Sequence, residues 1–398
     1  AALLTASVSG DWTNTATWGG SGPPADGDYA VINSGVTVTT TVSTASLAGL
    51  TNNGTLVFSG WNTILTASSV RINNQVTHLP QSATATNEFG LWAPDNRVYI
   101  VCTNLTIAAG GSINVSRKGY QGGVNTNGLG PGGGLGGATY GGGGYGGAGG
   151  LAGGGCGLAY GSALDPLDPG SGGGGGAGGA LAGGGAVRVL AADDVTVDGS
   201  IIAGANAWGT HTVGSGSGGS IYISCLTIRG SGTIMADGDN HYSGSSGTPG
   251  GGGRVAVCFD PAAQSNVTPR ATIVFSAGGG YRPTLGWEAA PGTIYLPDPI
   301  VLSGNVMGGI HIIPGFTSWG PTNLGIGGYG YAVFTNGFAL AVSNDIVFTN
   351  YGGLRLTNVA SLSVGRDLAM RSLGLVDLFM DGASPSTLTV GRDLIVTN

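Results

Sequence analysis

Ile221-Tyr222-Ile223-Ser224-Cys225 runs into Leu226-Thr227-Ile228 and, past Arg229-Gly230-Ser231-Gly232, into Thr233-Ile234-Met235-Ala236. Each piece alternates apolar and polar residues with a period of two, the signature of a half-buried strand rather than a helix. The same triplet precedes it as Val98-Tyr99-Ile100-Val101-Cys102, Leu105-Thr106-Ile107 and Ser112-Ile113-Asn114-Val115. It recurs as Val187-Arg188-Val189-Leu190, Val195-Thr196-Val197 and Ser200-Ile201-Ile202-Ala203. Later units are Val255-Ala256-Val257-Cys258 with Ala271-Thr272-Ile273-Val274-Phe275, and Thr293-Ile294-Tyr295-Leu296 with Ile300-Val301-Leu302. Three short strands bent at turns and repeated describe one coil of a right-handed parallel β-solenoid. Inward Val, Ile and Leu then stack on their equivalents about 4.8 Å along the axis. The fold class is therefore all-β. Val98, Ile100, Val187, Val189, Ile221, Ile223, Val255, Val257, Ile294 and Leu296 are expected inside, with Tyr99, Arg188, Tyr222 and Ala256 outside.

Outward from this centre the coils continue. Leu340-Ala341-Val342-Ser343-Asn344-Asp345-Ile346 returns as Leu362-Ser363-Val364-Gly365-Arg366-Asp367-Leu368 and as Leu388-Thr389-Val390-Gly391-Arg392-Asp393-Leu394. The spacings of 22 and 26 residues suit one coil each and put Asp345, Asp367 and Asp393 in one column. That column is a set of turn caps, a ladder neutralised by Arg366 and Arg392, or a metal column. Toward the start, Ala45–Leu50, Gly54–Phe58 and Ser69–Ile72 also read as coils. Ahead of them Trp12, Trp18 and the turn Pro23-Pro24-Ala25-Asp26-Gly27-Asp28 suit a cap over the open end of a solenoid.

Residues 121–185 hold 33 glycines in 65 positions. Such a run is ordinarily a flexible coil. Here it lies inside the repeat series, and shorter Gly-rich stretches (214–219, 244–253, 278–280) fall at a similar phase of later coils. It is expected to pack on the solenoid as an ordered side layer of extended or polyproline-II-like segments. The organisation is thus 1–44, cap and first strands; 45–120, first coils; 121–185, Gly-rich excursion; 186–306, central coils; 307–398, C-terminal coils.

Composition narrows the function. Only 8% of residues are charged while 41% are hydrophobic, which argues against disorder. The net charge of −7 and a single lysine, Lys118, leave no basic patch for nucleic acid. No apolar run is long enough for a membrane span. The opening Ala1-Ala2-Leu3 suits a mature chain after signal cleavage, and the charge-poor, Thr/Asn/Gly-rich composition suits secretion to the cell surface or beyond. Cys102, Cys156, Cys225 and Cys258 lack zinc-site spacing; Cys102 and Cys225 occupy equivalent inward positions.

Tyr160-Gly161-Ser162, Pro169-Gly170-Ser171-Gly172-Gly173, Gly216-Ser217-Gly218-Gly219-Ser220-Ile221-Tyr222-Ile223 and Gly250–Gly253 with Arg254-Val255-Ala256-Val257 resemble the Gly-rich β-solenoid modules of very large secreted proteins in planctomycete- and verrucomicrobia-like bacteria. The opening Trp12, Trp18, Pro24 and Gly27-Asp28 is similar to the start of many such proteins, and the Val-Gly-Arg-Asp-Leu coils to their stalks. The resemblance spans nearly the whole chain. It implies fold and location and carries no activity with it.

Solenoids also host polysaccharide-cleaving enzymes, whose sites need clustered carboxylates with nearby His, Arg or Lys. Asp193-Asp194 with Asp198 is the nearest match. The histidines (His78, His211, His241, His311) and the glutamates Glu88 and Glu288 are scattered, so no catalytic residue is assigned and no enzyme is expected. Asp237, Asp239 and Asn240 gather oxygens suited to Ca²⁺, the single cofactor considered, and suit a solvated Asx turn equally. Trp208, Trp287 and Trp319 sit in loop-like contexts, to stack on extracellular glycans or to plug the Gly-rich layer. The chain stops at Ile395-Val396-Thr397-Asn398 without a polar terminator. Either it belongs to a longer stalk, or Leu394 and Val396 dock on the Trp12/Trp18 end of another copy and build a filament. The reading is a non-enzymatic structural protein of the cell surface or an extracellular fibre, with a carbohydrate-binding adhesin as alternative and a glycan lyase or hydrolase behind it.

Overall fold

The computed structural model describes residues 1–137, 140–151, 155–177, 179–205, 213–240, 247–282, 287–302, 305–307, 310–327, 330–358, 360–371, 374–379 and 386–397. The chain is a parallel β-solenoid. One face is a fifteen-stranded sheet whose stacked strands run from Leu3–Ala6 through Tyr29–Ile32, Val98–Ile107, Ser220–Ser224 and Tyr331–Phe334 to Leu375–Phe379. Neighbours in it are parallel and in register, as in Ile100↔Val189↔Ile223↔Val257. Thirteen strands in line span about 60 Å at ~4.8 Å each. The ladder already starts at Leu3–Ala6, within the stretch read as cap and first strands.

The ten residues expected inside are buried, and the core they join is continuous from Leu4 to Leu368. Tyr99, Arg188 and Tyr222 face outward and are half-buried. They form a ladder in register, with the Arg188 guanidinium 4.5 Å from the centre of the Tyr222 ring. Ala256, expected outside, is fully buried. It sits in register between Tyr222 and Tyr295, and a methyl between two tyrosines in a column is covered by its neighbours.

The remaining faces are built in two blocks. An eight-stranded sheet runs from Gly10–Asp11 to Val274–Ser276, beside the intermediate ladder that ends at Thr227–Arg229. A five-stranded and a four-stranded sheet then begin at Asn305–Met307 and Ser318–Trp319 and carry the C-terminal coils. Between the blocks the intermediate ladder is broken. Residues Pro261–Gln264 form one α-turn capped by Asp260, and Pro299–Val301 form a 3-10 turn capped by Asp298. The strand expected at Ile300-Val301-Leu302 is this turn, because Pro299 removes a ladder N–H and the Asp298 carboxylate takes the Ile300 N–H instead (2.8 Å). Gln264 bridges part of the gap. Its amide accepts from the Ile228 N–H (2.7 Å) and donates to the Ile228 carbonyl (2.8 Å), as a neighbouring strand would.

Candidate functional site

The most unusual construction is the Gly-rich lobe. Along 170–175 successive N–H groups leave in three directions. Gly170 and Gly173 donate to the carbonyls of Gly184 (2.8 Å) and Leu181 (3.0 Å). Gly172 and Gly175 donate to Leu129 (3.0 Å) and Thr126 (3.1 Å). On the third side Ser171 donates to Ser217 Oγ (2.9 Å), and Gly214 donates back to the Gly174 carbonyl (2.9 Å). On the first two sides every third residue returns to the same antiparallel neighbour, while the Gly174 N–H goes to the Gly141 carbonyl (2.9 Å). Three residues per turn without internal hydrogen bonds is polyproline II geometry, so such segments pair their groups with neighbouring segments. Residues 250–253 repeat the rule: Gly250 and Gly253 donate to Asp239 (3.0 Å) and Ala236 (2.8 Å), Gly251 to Gly143 (2.9 Å) and Gly252 to Ala290 (3.1 Å).

The lobe is tied to the coils in series. Gly184 donates to Ser217, Gly218 to Gly251 and Gly252 to Ala290, one excursion to the next. Across them lies 141–148: Gly143 donates to Ser215, Gly147 to Gly252, and Ala148 accepts from Ala290. Tyrosines supply the bulk that glycine lacks. Tyr120 and Tyr145 are fully buried, and the Tyr145 and Tyr160 rings lie 4.8 Å apart. Burial pushes the Tyr145 hydroxyl well above the ordinary phenol range. Arg254, from the long sheet, reaches into the lobe and donates through Nε and Nη2 to the Tyr160 carbonyl (2.9 and 2.8 Å).

The candidate residues are dispersed. Trp12 and Trp18 are buried edge to face, 4.8 Å apart, and Trp18 Nε1–H donates to the Trp12 carbonyl (2.7 Å). These rings plug the first coils from inside the chain. Leu394 and Val396, on the last described coil, are 56% and 67% exposed. Trp208 and the side chain of Trp287 lie outside the described residues. Trp319, expected in a loop, ends a short strand and is 7% exposed, with its ring 6.3 Å from that of Phe334. Its apolar body completes the core where the four-stranded sheet starts.

Asp237 Oδ1 accepts from the Ser276 hydroxyl (2.5 Å) and the Gly278 N–H (2.6 Å), while Asn240 Oδ1 accepts from the Tyr281 N–H (2.8 Å). Burial raises the Asp237 carboxyl above its usual range. Asp239 is buried, with its backbone joining Gly216 and Gly250. These oxygens tie one coil to the next. No group of three or more His, Cys, Asp or Glu side chains able to hold a metal occurs among the described residues.

Of the roles weighed for the Asp column, the bond to a backbone N–H and the neutralising Arg are both present. Asp345 Oδ1 accepts the Asp367 N–H (3.1 Å), and the Arg366 guanidinium lies 3.3 Å from the Asp345 carboxylate. Arg392 likewise reaches back to Asp367, holding that carboxyl below its usual range. Sequence reasoning missed His78 and His311. His78 Nε2 accepts from the Ala186 N–H (3.2 Å), so Nδ1 carries the proton toward the Leu79 carbonyl (2.6 Å). His311 Nδ1 accepts from the Ala277 N–H (3.1 Å). Both are buried, and isolated histidines in apolar strands gave no signal of this backbone role. Cys102 and Cys225 are buried thiols, as their phase implied, and desolvation pushes each up to about 12.

Searches against protein-family models, curated proteins and solved structures find no match to this chain.

Proposed function

We propose that this chain is a secreted structural protein, a stiff rod of the cell surface or of an extracellular fibre. The observation that carries the reading is the serial bracing of coils by the Gly-rich lobe. Backbone hydrogen bonds join 141–148 to three successive excursions, at Ser215, Gly252 and Ala290. A backbone bundle of this kind resists bending and shear between coils while requiring no chemistry from its side chains. The charge-poor composition and the resemblance to secreted Gly-rich modules support the extracellular setting.

Immunogold electron microscopy of intact producing cells tests the proposal. Label on the envelope or on fibres outside it is the expected result, and label confined to the cytoplasm would overturn it.

A further inference from the structure

The break between the two blocks leaves a groove. Its larger part, about 550 Å³, is lined by Arg270, Asp298, Ile300, Trp319, Pro321 and Asn323 among others. A smaller part of about 280 Å³ shares Arg270 and adds Asp198, Arg229, Ser231 and Thr272. The lining positions come from consecutive coils, so the groove runs along the solenoid axis, beside the gap between Thr227–Arg229 and Ser318–Trp319. At ~4.8 Å per coil it offers an extended polymer about 20 Å of path.

Its chemistry is specific. Arg229 is already paired with Asp194 (2.9 Å). Arg270 is exposed and makes no ion pair or hydrogen bond among the described residues, so its guanidinium fork is available to a carboxylate. Around it stand acceptors. Asp198 and Asp298 each use one oxygen on a backbone N–H, of Ser231 (3.3 Å) and Ile300 (2.8 Å), and keep lone pairs for hydroxyl donors. Ile300, Pro321 and the largely buried Trp319 add an apolar wall.

We infer that this groove binds a linear polysaccharide containing uronic acid, with a uronate carboxylate on Arg270, ring hydroxyls on Asp198 and Asp298, and C–H faces against Trp319 and Pro321. The charge pattern selects this class: a polyanionic peptide has carboxylates for Arg270 but no hydroxyls for the two aspartates, and a neutral glycan would leave Arg270 unused.

Calorimetric titration of the whole chain tests the inference, using tetragalacturonate, tetramannuronate and a hyaluronan tetrasaccharide, with galactotetraose and tetraglutamate as comparators. At least one uronate oligomer is expected to bind, with affinity that falls as salt is raised. Arg270→Ala should weaken it at least about tenfold, and Arg270→Lys less. Arg270 is exposed, so an unchanged circular dichroism spectrum and melting temperature are expected for both variants. Binding of no uronate oligomer, equal binding to Arg270→Ala, or equal or tighter binding of galactotetraose or tetraglutamate would each overturn the inference.

Discussion

A Cβ on Gly174 would lie 2.0 Å from the Leu135 carbonyl oxygen, and one on Gly143 would lie 2.4 Å from that of Ser171. Both obstacles are backbone, which cannot rotate away as a side-chain tip can. Gly174→Val and Gly143→Val are therefore expected to cost about 1–3 kcal/mol or more in urea unfolding. Gly320→Ala, whose new methyl would meet nothing nearer than 3.6 Å, should stay within about 0.5 kcal/mol. His78 gives a pH dependence of definite sign. Burial pushes its imidazole down from 6.5 to about 4, only partly countered by its bond to the Leu79 carbonyl. Between these values the unfolded chain binds a proton that the folded chain refuses, so stability falls as pH falls through the window. The full loss approaches about 3 kcal/mol. Urea midpoints at pH 7 and pH 4.5 should show a steeper acid loss in the wild type than in His78→Gln. At this scale the alternation in Val98–Cys102 or Ile221–Cys225 told inside from outside, because a strand's side-chain period is two. It failed at Ala256, where the neighbours' bulk decided burial.

Among the elements, the tail coils are the most regular. Ile346 pairs with Leu368 and Leu340 with Leu362, each 22 residues on. Deleting 345–366 would replace Asp345-Ile346 by Asp367-Leu368 and preserve the phase of every later strand. Deleting 346–366, one residue fewer, turns their apolar residues to solvent. The first deletion is expected to melt in a single transition without binding 8-anilinonaphthalene-1-sulfonate; the second should bind the dye and lose ordered structure after residue 344 in hydrogen exchange. Arg392→Gln should leave the melting temperature almost unchanged, since the Arg392 end of the Arg392–Asp367 pair is 57% exposed and water screens it. These repeats were legible because the motif Leu-x-Val-x-x-Asp-Leu/Ile marks both strands and the turn between them. The turn at Pro299–Val301 was not, since Ile300-Val301-Leu302 has strand composition and only Asp298-Pro299 in front of it signals the cap. The groove followed from that break and was equally hidden.

For the whole molecule, the central claim is that a solenoid about 60 Å or more in length is braced by a glycine bundle with backbone pairing equal to that of its strands. Composition alone could not establish this. Glycine has no side-chain period, so nothing in 170–176 announces which N–H meets which carbonyl; only the recurrence of Gly-Gly ahead of Val187, Ile221 and Val255 hinted at a common packing position. Amide hydrogen exchange followed by mass spectrometry at neutral pH tests the claim most directly. Peptides covering 170–176, 214–219 and 250–253 are expected to exchange as slowly as the strands Ala186–Ala191 and Ser220–Ser224. Exchange of these glycines at the rate of an unstructured linker, with the strands still protected, would contradict it.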